Sequence, residues 1–240
     1  MSESSAAGSR AADRVQETRS SSPDREPILS RIREALRDPG ATQLPQPAPI
    51  SSNPDRAELV RQLVENARRV EVTAHIANTV EEGHAVLQRW LTDLHVSGFL
   101  YAHGPVLKRL GIAQIGSSVA IPLSTTAADD EARFLLLNSP VGVSEATAAL
   151  SNTGTIIEAS GRGRSRLISL LPPVHISVVT SEQIFPDLAT WLDRAKLPEA
   201  FDTLSAFTLI TGPSRTADIE QTLTKGVHGP GQVYMLVLNE

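Results

Sequence analysis

Hydrophobic and polar positions fall into two rhythms along this chain, and each predicts a set of elements. Leu59, Val60, Leu63, Val64 and Ala67 recur at the spacing of one helix face, so a helix runs over about 55–69. Ile28, Leu29, Ile32, Ala35 and Leu36 repeat that spacing and predict a shorter amphipathic helix over 28–36, which Asp38-Pro39-Gly40 stops. Thr79-Val80-Glu81-Glu82 has the composition of a capping box and opens a third helix, with Val80, Leu87, Leu91 and Leu94 turned inward. One or two helical turns follow over 106–110, closed by Gly111. The small residues of 145–150 read as a helix, and 182–194 as another despite Pro186.

Short apolar runs supply the strands: 70–72, 98–101, 119–121, 134–137, 155–157, 176–179, 207–210 and 233–238. The runs at 134–137 and 176–179 are of the kind buried on both faces in a parallel sheet. Strands alternating with helices at this spacing predict an α/β fold, a mostly parallel sheet flanked by helices. Ligands of open α/β sheets bind beyond the carboxyl ends of the strands, which points to the loops after Leu137, Ile157, Val179 and Ile210.

The organisation predicted is a disordered tail over 1–27, a segment over 28–54 holding the short helix and a Pro-rich linker, and one α/β domain over 55–240. The short helix is expected to dock within its own chain. A partner protomer is the alternative, which leaves homo-oligomerisation open. Composition narrows the function. The 240 residues carry 27 acids, 22 bases and no cysteine, a formal net charge of −5. Without cysteine the chain has no disulfide scaffold, thiolate zinc site, cysteine-ligated iron–sulfur cluster or cysteine nucleophile. The acidic balance argues against a nucleic-acid binder. No apolar run approaches a membrane span, and 1–27 has no hydrophobic segment to serve as a leader, so a cytoplasmic location is expected.

Standard catalytic signatures are absent: no G-x-S-x-G elbow, no H-E-x-x-H, no P-loop, no complete G-x-G-x-x-G. In Gly161-Arg162-Gly163-Arg164-Ser165-Arg166 the third glycine is replaced by Arg166, and an exposed basic turn fits it better than an anion grip. The six histidines include no pair at helical metal-ligand spacing, so no metal site is expected. Three segments are less ordinary. Asn152, Thr153, Gly154 and Thr155 place polar groups around a residue that permits close backbone approach, as a ligand turn or a helix C-cap would. His175 follows Leu171-Pro172-Pro173 at the start of a buried strand, either a structural histidine or an acid–base group. Gly212, Ser214, Arg215 and Thr216 combine a guanidinium fork with hydroxyls suited to a carboxylate or phosphate. Asp218 and Glu220 follow as acid–base candidates or as braces for Arg215, and His228 lies in the glycine-rich return.

These segments carry a family resemblance. Asn152-Thr153-Gly154-Thr155, the run Ser169 to Ile176, Thr211-Gly212-Pro213-Ser214-Arg215-Thr216-Ala217-Asp218-Ile219-Glu220 and Gly226-Val227-His228-Gly229-Pro230 resemble, in order and spacing, the lactate utilization protein C family, whose module is the LUD domain. Asn152 departs from the acid that often precedes the threonine there. The resemblance implies a fold related to glucosamine-phosphate isomerases, ribose-5-phosphate isomerase, CoA transferases and 5-formyltetrahydrofolate cyclo-ligase. It also implies a part in L-lactate oxidation beside a Cys-rich protein and an iron–sulfur protein. It assigns no catalytic residue.

The expected function is therefore a non-redox subunit of a lactate-oxidising system that binds a small anion and organises iron–sulfur partners, with no cofactor of its own. Two alternatives stay open. One is a stand-alone enzyme on an acyl, phosphorylated or folate-type substrate, using Asp218, Glu220, His175 or His228. The other is a purely structural assembly factor.

Overall fold

The computed structural model describes residues 25–37, 54–96, 98–116, 118–121, 134–135, 137–161, 165–194, 204–217, 223–226 and 228–240. The chain divides into two units, Met1–Pro47 and Ala48–Glu240. In the first, α1 (Arg25–Arg37) contains the predicted 28–36 helix, and Ile28 and Ile32 of its apolar stripe are exposed. Residues 1–24 of the expected tail and 38–53 of the expected linker lie outside the described residues.

The second unit is built on a six-stranded parallel sheet. Along the chain come α2 (Arg56–Arg69), β1 (Thr73–Ala77), α3 (Val80–Asp93), β2 (Phe99–Ala102), α4 (Pro105–Arg109) and β3 (Ser118–Ile121). Then follow β4 (Val141–Glu145), β5 (Ala148–Leu150), β6 (Thr155–Gly161), β7 (Val174–Thr180), β8 (Ile184–Phe185), α5 (Leu188–Arg194), β9 (Leu204–Ile210), the hairpin β10 (Arg215–Ala217) and β11 (Leu223–Lys225), and β12 (Gln232–Leu238). The parallel sheet has the order β1-β12-β7-β4-β2-β3, and a second sheet runs β8-β5-β6-β9. The mostly parallel α/β architecture is the one the alternating pattern predicts.

Period-two alternation explains why the sheet is covered on both sides. Val174, Ile176 and Val178 of β7 join Leu236 and Leu238 of β12 in a core with Leu87 and Trp90 of α3 and Leu107 of α4. Val179, Val233, Met235 and Val237 point the other way and pack with Leu59, Leu63 and Ala67 of α2 and Ile156 of the second sheet. At the start of α3 the Thr79 hydroxyl accepts the Glu82 amide at 3.1 Å. The reciprocal bond goes to the Asn78 amide, which donates to the Glu82 carboxylate at 2.8 Å, rather than to Thr79 as a strict capping box requires. That bond holds the Glu82 carboxyl below the usual carboxylate range.

Four elements differ from their sequence reading. Residues 145–150 form the end of β4 and then β5, not a helix. Ala148 and Ala149 are buried, with β6 on one side of β5 and β8 on the other, so tertiary burial overrides alanine's helix propensity. The span 182–194 becomes a 3-10 turn over Ser181–Gln183, then β8, with α5 starting only at Leu188. Pro186 has no N–H and a ring that crowds the preceding turn, so the helix begins after it. Phe134, Leu135 and Leu137 are helical and exposed rather than a buried strand. A four-residue apolar run is too short to carry a period that separates the two states. Finally, 70–72 is the turn that ends α2: Glu71 takes a φ of 65°, and β1 starts at Thr73.

Candidate functional site

Two of the singled-out turns pack on the carboxyl end of α2, and the glycine-rich return joins the second of them. The 151–154 turn links β5 to β6 as a hairpin, not a helix to a strand. Gly154 has a φ of 68°, and a Cβ there would collide with the backbone of Ala67. The Asn66 amide donates to the carbonyls of Ser151 at 2.8 Å and Asn152 at 3.2 Å, and the Ser151 hydroxyl donates to Gln62 at 2.7 Å. One turn of helix further on, Gly212 (φ 89°) lies so close to the Val70 carbonyl that a side chain there would strike it. Both positions need glycine twice over, for backbone conformation and for space.

Antiparallel pairing then joins the two turns. Ile156 sits opposite Ile210, which makes Thr155 and Thr211 neighbours. The hydroxyls of Thr153 and Thr155 lie 2.7 Å apart, and those of Thr155 and Thr211 2.8 Å apart, a chain of three hydroxyls from one turn to the other. Beyond it, Arg215 Nη2 is 2.7 Å from the carboxylate of Glu71, and the two side chains are 40% and 49% exposed. The glycine-rich return closes the corner: the Ser214 amide donates to the Pro230 carbonyl at 2.8 Å, Gly226 to Ser214 at 3.0 Å, and Gly231 to Pro173 at 2.9 Å. Asn152, Thr153 and His228 are exposed. Thr216 pairs with Thr224 in the β10–β11 hairpin, which the sequence reading did not contain. Asp218 and Glu220 lie outside the described residues. The brace found for Arg215 is Glu71, which no local motif signals.

This corner is at the amino edge of the parallel sheet, where Val174 of β7 and Gln232 of β12 stand side by side as their strands begin. The expectation that the loops after Ile157 and Ile210 lie past the carboxyl ends of parallel strands is therefore corrected. Ile157 lies inside β6, which runs on to Gly161, and the loop after Ile210 leaves β9, both strands of the second sheet; the turn at the corner, 151–154, precedes β6. Chemically the corner offers hydroxyls and the guanidinium of Arg215, while that of Arg69 at the end of α2 is held by Glu65 and Asn66. The carboxyl end of α2 adds the negative end of its helix dipole, so Arg215 supplies the attraction for an anion.

His175 is somewhere else entirely. It is 0% exposed, in the layer between the two sheets. Glu158 of β6 accepts the hydroxyls of Ser144 of β4 (2.7 Å) and Ser177 of β7 (2.9 Å). Ser144 Oγ is also 2.7 Å from His175 Nε2. Since the Ser144 proton goes to the carboxylate, its oxygen accepts Nε2–H, and the ring is the Nε2-protonated tautomer. Nδ1 has no hydrogen-bond partner, and burial pushes the ring pKa down to about 4. The imidazole thus stays neutral and, fully buried, has no atom open to a substrate, while Glu158 makes the polar link from the second sheet to β4 and β7. Sequence reasoning missed Ser144, Glu158 and Ser177. Their signal was available as polar residues interrupting apolar strands.

Among the described residues no group of three or more His, Asp or Glu side chains gathers as a metal-ligand set, and no helix is long and apolar enough to cross a membrane.

Comparison with known proteins follows the same outline. The LUD domain family matches residues 60–238. A lactate utilization protein C from Exiguobacterium is 38% identical over 116 residues, 45% of this chain and 48% of that protein. One from Bacillus subtilis is 36% identical over 100 residues, 40% of this chain and 42% of that protein. The chain thus aligns with about half the length of these relatives. A DUF162 family protein from Deinococcus radiodurans shares the fold, with a TM-score of 0.57 at 19% identity, over 78% of this chain and 99% of that one. With its match running from the second turn of α2 to the last residue of β12, this chain belongs to the LUD domain family.

Proposed function

We propose that the protein is a non-redox component of a lactate-utilisation system, binding a small organic anion at the amino-edge corner and working beside partners that carry the electrons. Membership of the LUD domain family and the names of its relatives support the setting. The absence of cysteine from these 240 residues supports the division of labour, because they can hold no thiolate-ligated cluster.

The observation that carries the ligand reading is the convergence of the Thr153–Thr155–Thr211 hydroxyl chain with a half-exposed Arg215. The Arg215–Glu71 pair is a surface pair, a class worth about 0–1 kcal/mol, so an incoming carboxylate exchanges with Glu71 at little cost. Arg215 then presents its fork of donors to the ligand.

The test is calorimetry of the full chain with lactate, pyruvate and inorganic phosphate. Arg215→Ala abolishes the heat of binding, and Glu71→Gln, which removes the internal competitor, strengthens binding several-fold. Wild-type affinity in Arg215→Ala for every anion that binds sinks the reading. Turnover by the chain alone moves it to the class of stand-alone enzymes.

A further inference from the structure

The opposite edge of the sheet holds a cavity that no motif announces. Beyond the last residue of β2 the chain runs His103-Gly104-Pro105 into α4, and a space of about 560 Å3 opens there, lined by Tyr101, His103, Pro105, Lys108, Ile112 and Gln114 among others. That volume lies in the range of small-molecule sites, and the carboxyl ends of parallel strands are where open α/β sheets place them. The wall is rigid. The Glu145 carboxylate, from the end of neighbouring β4, accepts the Val106 amide at 2.9 Å and sits where a Cβ of residue 104 would be. Pro105 fixes its own φ next to that contact.

The charges differ around this opening. Arg109 is paired with Glu240, and the Glu145 carboxylate is spent on a backbone amide. Lys108 is exposed and makes no ion pair among the described residues, and the side chains of His103, Tyr101 and Gln114 make no hydrogen bond among them either. Among the described residues the lining thus offers one cation without an ion partner and three polar groups without a side-chain hydrogen bond, Tyr101 and His103 meeting edge to face, set around the apolar surface of Pro105 and Ile112. We infer that the carboxyl end of β2 is a second binding site, separate from the Arg215 corner, for an organic anion with an apolar body and a carboxylate or phosphate head against Lys108.

The experiment titrates the full chain with hexanoate and with phenyl phosphate, using hexanol and hexylamine as uncharged and cationic controls, followed by calorimetry and by amide shifts in NMR. Saturable binding of at least one anion is expected, with shifts concentrated at 101–114. The stronger binder identifies the head group. Lys108→Ala, at an exposed position where the fold is indifferent, weakens that binding at least tenfold. Lys108→Arg keeps it within a few-fold, and Arg89→Ala, which removes an exposed charge from α3, leaves it unchanged. The inference is overturned by equal binding of hexanol, by shifts centred on 211–215, by wild-type affinity in Lys108→Ala, or by no saturable binding of either anion.

Discussion

The two edges of one parallel sheet have been built to opposite specifications. At the amino edge, the recognisable motifs lie on the end of α2: two glycines with no room for a Cβ, an asparagine clamping two carbonyls, and an arginine already holding an acid. At the carboxyl edge no motif stands out, yet the space is open and its cation has no ion partner among the described residues. Motif density follows the number of close backbone approaches, which demand particular residues at particular positions. A cavity demands much less of its lining. In this molecule the most distinctive stretches of sequence mark where the backbone is packed tightest, and a ligand at that corner has to compete with the packing.

Substitutions at matched positions sharpen this contrast. Gly154→Ala adds a Cβ against the Ala67 backbone at a positive φ, and destabilises the protein by about 3 kcal/mol or more in urea unfolding. Gly104→Ala at the carboxyl edge costs about 1–2 kcal/mol, because its obstacle is the end of a Glu145 side chain that can swing aside. Equal costs at the two positions break the comparison.

Acid titration probes the layer behind the amino edge. His175 has a folded pKa of about 4 and an unfolded one near 6.5, so between those values the unfolded chain binds the extra proton. Stability contributed by the buried neutral ring is complete above about pH 6.5 and is lost as pH falls towards 4, a total of about 3 kcal/mol. His175→Gln flattens that part of the stability profile. An unchanged acid slope means that the ring does not titrate as its burial requires.

Smaller effects separate the hydroxyl chain from the surface charges. Thr155→Val conserves shape at a nearly buried position but disconnects Thr153 from Thr211, for about 1 kcal/mol of stability. Lys108→Ala changes stability by less than about 0.5 kcal/mol, since the side chain is exposed and has no ion partner among the described residues. A larger loss in its melting curve exposes a structural role and removes the contrast between the edges.

Much of the fold was legible because its signals are periodic. The i, i+3, i+4 stripe of α2, the threonine before α3 and the apolar runs of β7 and β12 each state their element locally. The failures share one cause. The 145–150 and 134–137 segments have composition without period, and only their neighbours decide their state. Convergence of the turns near 153 and 211 followed from strand pairing, but the orientation of that corner did not, because nothing local told which strands were parallel. Glu71 as the partner of Arg215, and the grouping of Tyr101, His103 and Lys108 with Gln114, exist only in three dimensions.

The strand order carries a consequence for how the molecule comes into being. β1 is bordered only by β12 among the described strands, and 154 residues separate Ala77 from Gln232. On a ribosome adding about 5–20 residues per second, β1 waits roughly ten to thirty seconds with both sides bare. Throughout that interval the nascent chain offers an unsatisfied ribbon to chaperones and to other copies of itself.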